Sequence, residues 1–134
     1  MGDVGLCDLL EPALEGDEAL RAAIKDALLP VIEAMQTGEQ QAVDTAAAAM
    51  AADLPSLLDR HVPNLLELYE RLEAVVPADT AAHVVVLREH TARMAAELVA
   101  AGPSFDAIGA VLDAPDGGAA EAVRALTKLR KERC

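Results

Sequence analysis

Hydrophobic residues recur every three or four positions along almost the whole chain, and no segment alternates apolar and polar residues as a strand would. Ala, Leu, Glu and Arg, which are all favourable in helices, supply most of these segments. A chain of 134 residues is also short for two separate cores. The pattern therefore predicts an all-α fold, a single domain over residues 1–134 that forms a helical bundle of about five or six helices with proline-kinked segments.

Turn and capping residues divide the first half of this pattern into three predicted helices. The first covers residues 3–14 and is closed by Gly16; the second begins at Asp17 and ends at Thr37-Gly38. Pro30 removes a backbone donor and predicts a kink or break near Leu29. A third, alanine-rich helix is expected over residues 39–52. The expected inward face of the second helix consists of Leu20, Ile24, Ala27, Leu28, Val31 and Met35.

The second half is punctuated by prolines and glycines. Pro55 and Pro63 predict two bends, and the clearest helix follows over residues 80–101 and ends at Gly102-Pro103. Ser104 is expected to cap a short helix to Leu112, after which residues 113–118 form a turn or linker. A basic amphipathic helix is predicted within residues 116–134. The expected inward residues of these helices are Leu65, Leu66, Tyr69, Leu72 and Val76, then Val84, Leu87, Thr91, Met94 and Leu98, then Val123, Leu126 and Leu129.

Charge limits the partners that the chain can have. The net charge is −12, and it is uneven, because residues 124–134 carry +4 and residues 1–123 carry −16. A body this acidic repels phosphate backbones and anionic lipid, so neither nucleic acid nor a membrane surface is expected as a partner, and an acidic protein is disfavoured as well. No uncharged run exceeds eight residues, far below the roughly 20 of a spanning helix. Residues 1–10 lack the Lys or Arg of a secretory signal, which predicts a cytoplasmic location.

The two cysteines, Cys7 and Cys134, lie at opposite ends of the sequence and have no metal-binding or redox spacing. We expect free thiols. A disulfide between them is geometrically possible but is not favoured in a reducing compartment.

Three residues of the helix over 80–101 are candidates for metal binding. His83, His90 and Glu97 follow one another at intervals of seven along one edge. Seven residues rise about 10.5 Å, too far for both imidazoles to bind one ion, and the Glu-x-x-His pattern of di-iron bundles does not occur. A metal or small-ligand site that uses His83 or His90 with a glutamate is therefore kept as the alternative. No catalytic set is recognised, because the only serines, Ser56 and Ser104, both fall where helix caps or first turns are expected. No cofactor motif is recognised either.

Three consecutive valines, Val84 to Val86, point in three directions around a helix. Either the start of this helix is buried on several sides, or Val85 and Val86 belong to a protein-binding or oligomer surface.

One segment resembles a known family. The run Asp-Arg-His-Val-Pro-Asn-Leu-Leu-Glu-Leu over residues 59–68 is similar to the D-H-L-P-x-x-L-E-x-L stretch of the NarJ/TorD family of molybdoenzyme assembly chaperones, and residues 100–108 are similar to that family's G-S-P-Y-x-x-V-L segment. The likeness covers residues 53–112, whereas residues 1–52 lack the aromatic-rich helices that precede the motif in the family. The resemblance implies an all-helical, non-catalytic protein that binds a partner polypeptide, and the matching positions are His61, Pro63 and Glu67.

These observations predict a non-enzymatic, protein-binding helical bundle, an assembly chaperone or adaptor for a partner polypeptide, with self-association as a homodimer as another form of the same function. The residues predicted to bind the partner are His61, Pro63, Glu67, Val85 and Val86.

Overall fold

The helical bundle is confirmed. A computed structural model of the chain describes residues 2–134, with side chains from residue 5 onward. Five helices account for most of this range, and no strand occurs within it. Their bounds are α1 Gly2–Thr37, α2 Gln40–Val75, α3 Ala78–Ala101, α4 Phe105–Asp113 and α5 Ala119–Arg133. None of these helices combines the length and the hydropathy that crossing a membrane requires.

A long helical hairpin forms the frame of the bundle. Helices α1 and α2 each contain 36 residues and so extend about 54 Å. They are joined by Gly38 and Glu39, and Gly38 has a φ of +74°, which a residue with a Cβ rarely adopts. Helix α3 packs on α2, α5 packs on α3 and α1, and the short α4 packs on α3.

The helix ends expected at Gly16 and at residue 52 are wrong. Helix α1 runs through Gly16 and Pro30, and α2 runs through Pro55 and Pro63, so the predicted break near Leu29 does not form. All four prolines inside these helices, Pro12 included, are exposed. On that face water can hydrogen-bond the carbonyls that a proline leaves unpaired. The apolar faces of α1 and α2 then offset the local cost by packing on each other.

Gly16 allows α1 and α2 to approach closely. A Cβ at this position would lie 3.0 Å from Cδ1 of Leu65, which is itself buried. The glycine that predicts a helix end in the sequence therefore makes room for a side chain of the neighbouring helix.

The core follows the predicted apolar faces. Tyr69, Leu72, Val84 and Leu126 are each at most 1% exposed. Met35 is an exception, since it is 49% exposed near the end of α1. The predicted ends at Thr37 and Ala101 are confirmed, and so is the Ser104 cap, whose hydroxyl accepts a hydrogen bond from the Ala107 amide at 3.2 Å.

The prediction of free thiols is wrong, because Cys7 and Cys134 form a disulfide with their Cα atoms 6.0 Å apart. Helix α5 packs against α1, and this brings the last residue beside the second turn of α1. The two cysteines are 127 residues apart in the sequence, so their contact arises from the tertiary structure and residue spacing cannot reveal it.

Candidate functional site

A cleft between α1, α3 and the segment from α4 to α5 combines polar walls with an apolar lining. Three adjoining cavities of about 310, 380 and 330 Å³ share His90 and Met94, and we call them together the His90 cleft. Its apolar lining comes from all the surrounding elements, and its members include Leu20, Ile24, Leu28, Leu87, Val111, Leu112 and Val123. Volumes of this size are typical of small-molecule sites.

One wall of the cleft contains an ion pair between a buried carboxylate and an exposed guanidinium. Asp17 is 9% exposed, and its Oδ2 accepts a hydrogen bond from Nε of Arg21 at 3.1 Å and lies 3.0 Å from Nη2 of the same guanidinium. Burial raises the pKa of Asp17 above its ordinary value, although the positive charge of Arg21 and its hydrogen bond act in the opposite direction. The two residues are one turn apart on α1, so the helix itself sets their geometry.

Behind this wall lies a second buried polar group. Thr91 of α3 is 2% exposed and also lines the cleft, and Tyr69 of α2 is buried in the same region. No partner among the described residues meets hydrogen-bond geometry with the Tyr69 hydroxyl. Burial and the negative charge of Asp17 raise the pKa of Tyr69 far above its usual range, and the Thr91 hydroxyl opposes this only weakly.

The opposite wall begins at the N-terminus of α5. Asp116 accepts hydrogen bonds from the amides of Gly118 at 3.0 Å and Ala120 at 3.1 Å. These bonds hold the pKa of Asp116 below its ordinary value. The carboxylate therefore serves the start of the helix, and both of its oxygens are engaged there.

Positive side chains are concentrated around the cleft. Residues 1–123 contain only six Lys or Arg, and three of them, Arg21, Lys25 and Arg93, line it. Lys25 has no ion-pair partner among the described residues. Nη2 of Arg93 lies 3.5 Å from Nδ1 of His90. Because a guanidinium can only donate, Nδ1 accepts this contact, and a neutral His90 then carries its proton on Nε2.

A second concavity lies on the other side of α3. We call it the Val99 groove, a space of about 510 Å³ between α2 and α3 lined by Pro55, Leu58, Asp59, Val62, Pro63, Ala95, Ala96 and Val99. Asp59 is its only charged lining residue. Val99 is 52% exposed, the largest exposure among the large hydrophobic side chains that the structure describes as exposed.

The three positions of the family motif do not converge. Pro63 lines the Val99 groove, while His61 is half-buried and does not line it. Glu67 lies one turn after Pro63, is exposed, and forms an ion pair with Arg71 at 3.6 Å. Of the three, Pro63 is the one that lines the Val99 groove.

The valine run is divided between the core and its edge. Val84 is buried, and Val86 is half-buried, packs against the core and lies 3.9 Å from the point where a Cβ of Gly118 would be. Val85 is half-buried. Val86 therefore contacts the core with part of its surface, and both Val85 and Val86 stay predicted partner-binding residues.

Of the three residues of the alternative metal site, two line the same cavity and one does not. His90 and Glu97 line one cavity of the cleft, which His83 does not reach. Within the part of the chain that the structure describes, no group of three or more His, Cys, Asp or Glu side chains is arranged to hold a metal ion.

Sequence reasoning found His90 but missed Asp17, Arg21 and Lys25 as residues of the same cleft. A signal was present, because these three follow one another at intervals of four on one helical face and include two of the few cations before residue 124. Their meeting with α3 and α4 depends on tertiary structure, and intervals along the chain do not contain that information.

Comparisons with protein-family models, with curated proteins and with solved structures found no match for this chain.

Proposed function

We propose that the protein is a non-enzymatic binding bundle that holds a helical segment of a partner polypeptide in the Val99 groove. The observation that carries this proposal is the exposed apolar lining of the groove, above all Val99. Apolar side chains left in water cost free energy, and covering them with apolar side chains of a partner recovers it.

The shape and charge of the groove describe the partner segment. It lies between two helices, and from Pro55 to Pro63 it extends over two turns of α2, about 12 Å. A third helix packs naturally into such a groove through apolar residues at intervals of three and four. Asp59 in the groove and the charge of −16 on residues 1–123 favour a segment that carries Lys or Arg beside those apolar residues.

An assembly chaperone or adaptor is the form of this function that the resemblance supports. Pro63 belongs both to the segment that is similar to the NarJ/TorD motif and to the lining of the groove. No reacting group is needed for such a function.

Site-specific photo-crosslinking tests the proposal. A photo-reactive residue replaces Val99, and the matched control replaces Val75, which is 46% exposed at the end of α2 and lies outside the groove. In cells of the native source, Val99 is expected to give a discrete adduct with a basic amphipathic segment, identified by mass spectrometry, and Val75 is not.

A charge in the groove provides the second arm. Adding Ala96→Glu to the Val99 probe should remove the adduct, whereas Ala49→Glu, on an exposed face of α2, should leave it unchanged. Equal labelling from both probe positions, an acidic captured segment, or an adduct only with a second copy of this chain would each contradict the proposal.

A further inference from the structure

The His90 cleft has the features of a small-molecule site that differs from the Val99 groove in both position and chemistry. The cleft opens between α1 and the segment from α4 to α5, whereas the groove lies between α2 and α3. Its cavities combine an apolar wall with a few polar groups at one side, which is the usual composition of a ligand pocket.

Apart from Glu97, which lines the cavity of about 330 Å³, the ionisable side chains of the cleft that have no ion-pair or backbone partner among the described residues are hydrogen-bond donors. Asp17 is bonded to Arg21, and Asp116 is bonded to two backbone amides, so both carboxylates near the centre are engaged. Lys25 has no acidic partner among the described residues, and His90 keeps its second ring nitrogen as a donor when neutral. Such a set of groups attracts an anion.

The basic residues of the chain before residue 124 are found at the cleft more often than the acidic ones. Half of the Lys and Arg of residues 1–123 line the cleft, against three of the 22 acidic residues in the same range, Asp17, Asp116 and Glu97. Glu97 lines the cavity of about 330 Å³, which Arg93 also lines. The cleft lining thus holds as many carboxylates as Lys and Arg side chains within a body whose net charge is −16, and Lys25 and Arg93 are its cations without an ion pair among the described residues. A negative group is therefore repelled less at the cleft than over the rest of the body.

The apolar part of the cleft is open at the α4 side. Leu28 of α1 and Val111 of α4 line the cavity of about 380 Å³, and Leu112, which also lines it, is 39% exposed. Ile32 follows Leu28 by one turn and is 40% exposed, so the apolar surface continues beyond the cavity along α1. An aliphatic chain would cover these side chains.

We propose that the His90 cleft binds an amphipathic monocarboxylate, with its carboxylate held by Lys25, His90 and Arg93 and its aliphatic chain lying between Leu28 and Leu112. Arg21 stays paired with Asp17, so the net positive charge available to the ligand comes from Lys25 and Arg93. Burial of the aliphatic tail stabilises the complex, and the donors of the cleft favour a carboxylate head group over a neutral or cationic one.

Titration with three probes of equal chain length tests this site. Decanoate, decanol and decyltrimethylammonium are added to the isotopically labelled full-length protein, and amide shifts are followed by NMR. Decanoate should give saturable shifts centred on residues 21–28, 90–94 and 111–116. It should bind at least about fivefold more tightly than decanol, because only the carboxylate uses the cationic wall.

Two variants that leave the core intact provide the residue-level test. Lys25→Gln combined with Arg93→Gln should weaken decanoate binding by about threefold to tenfold and leave decanol binding unchanged. The control is Lys131→Gln combined with Arg60→Gln, which removes the same charge from exposed positions outside the cleft. It should not change the decanoate affinity.

Three results would overturn the proposal: no saturable decanoate binding, equal or tighter binding of decyltrimethylammonium, or shifts centred on the Val99 groove. None of them decides whether a partner polypeptide binds at that groove, since the crosslinking experiment reads Val99 and uses no added ligand. The two proposals can therefore fail separately.

Discussion

At the scale of single residues, the hydroxyl of Tyr69 is the most exacting feature of the core. The chain contains one Tyr, one Phe and no Trp, and Tyr69 is among the largest fully buried side chains. Its ring fills space between the helices, but its oxygen has no hydrogen-bond partner among the described residues. A buried hydroxyl without a partner is destabilising relative to the same ring without the oxygen.

Tyr69→Phe is expected to stabilise the protein by about 1 kcal/mol, because the substitution keeps the ring and removes the unpaired oxygen. Urea unfolding followed by far-UV circular dichroism measures the change, since the variant has no tyrosine fluorescence. Leu72→Ala serves as the comparison and should cost about 2 to 5 kcal/mol through the cavity that it leaves. A loss of about 1 kcal/mol in Tyr69→Phe would instead show that the hydroxyl is hydrogen-bonded in solution, with Thr91 as the candidate partner.

The sequence predicts that Tyr69 and Thr91 face inward, because both lie on apolar faces with helical spacing. It does not predict that they lie near Asp17, a residue that the pattern assigns to a helix cap. Asp17 is paired within its own helix by Arg21, and this local pair permits a carboxylate to be buried where a third helix passes. The pairing is visible in the sequence as an interval of four, but the burial is not.

At the scale of helices, Gly16 shows how packing overrides local preference. A glycine inside a helix costs up to about 1 kcal/mol relative to alanine, and this is why the sequence suggests an end there. In the bundle the same residue accepts Leu65 of α2 at close range. The packing between the two helices is stabilising, but it cannot be seen from α1 alone. The sequence of α1 by itself therefore shows only the free-energy cost of a glycine inside a helix.

Gly16→Ala is therefore expected to be neutral or destabilising, although alanine is the better helix former, because the new methyl group would lie 3.0 Å from Leu65 Cδ1. The matched substitution is Gly109→Ala in α4, where nothing lies within 4 Å of the new Cβ, and it should stabilise by about 0.5 to 1 kcal/mol. Thermal and urea unfolding of both variants provide the comparison. Equal stabilisation at both positions would show that α1 and α2 do not approach closely at Gly16.

Helix ends were predictable where a glycine or a cap coincides with a real change of direction. Gly38, Gly102 and Ser104 are such positions, and the first two have positive φ. Pro30, Pro55 and Pro63 misled for a physical reason, since all three face solvent inside continuous helices. The pattern alone gives no measure of how much packing energy is available to offset each missing hydrogen bond.

At the scale of the whole molecule, the disulfide joins the start of α1 to the last residue and encloses nearly the entire chain. In the chain-entropy account, a cross-link over about a hundred residues stabilises the fold by about 4 to 5 kcal/mol, because it restricts the unfolded ensemble. Such bonds persist in oxidising compartments, and the cytoplasmic location inferred from residues 1–10 stays a prediction.

Replacing Cys7 by Ser is expected to lower the free energy of unfolding by about 2 to 5 kcal/mol relative to the oxidised protein. Cys134→Ser should give the same loss, and reductant should bring the unmodified protein to the level of the variants while leaving the variants unchanged. Urea unfolding with and without dithiothreitol measures all of these states. An unmodified protein whose midpoint does not respond to reductant would show that the thiols are not paired in solution.

The Cys7–Cys134 bond also determines how the molecule would respond to mechanical force. When tension is applied between residues 7 and 134, the load passes through one covalent bond and bypasses the five helices. A single-molecule pulling experiment with handles at these ends should therefore record almost no extension until the bond is reduced. After reduction, the same pull would peel α5 away from α1 and α3, the two helices against which it packs.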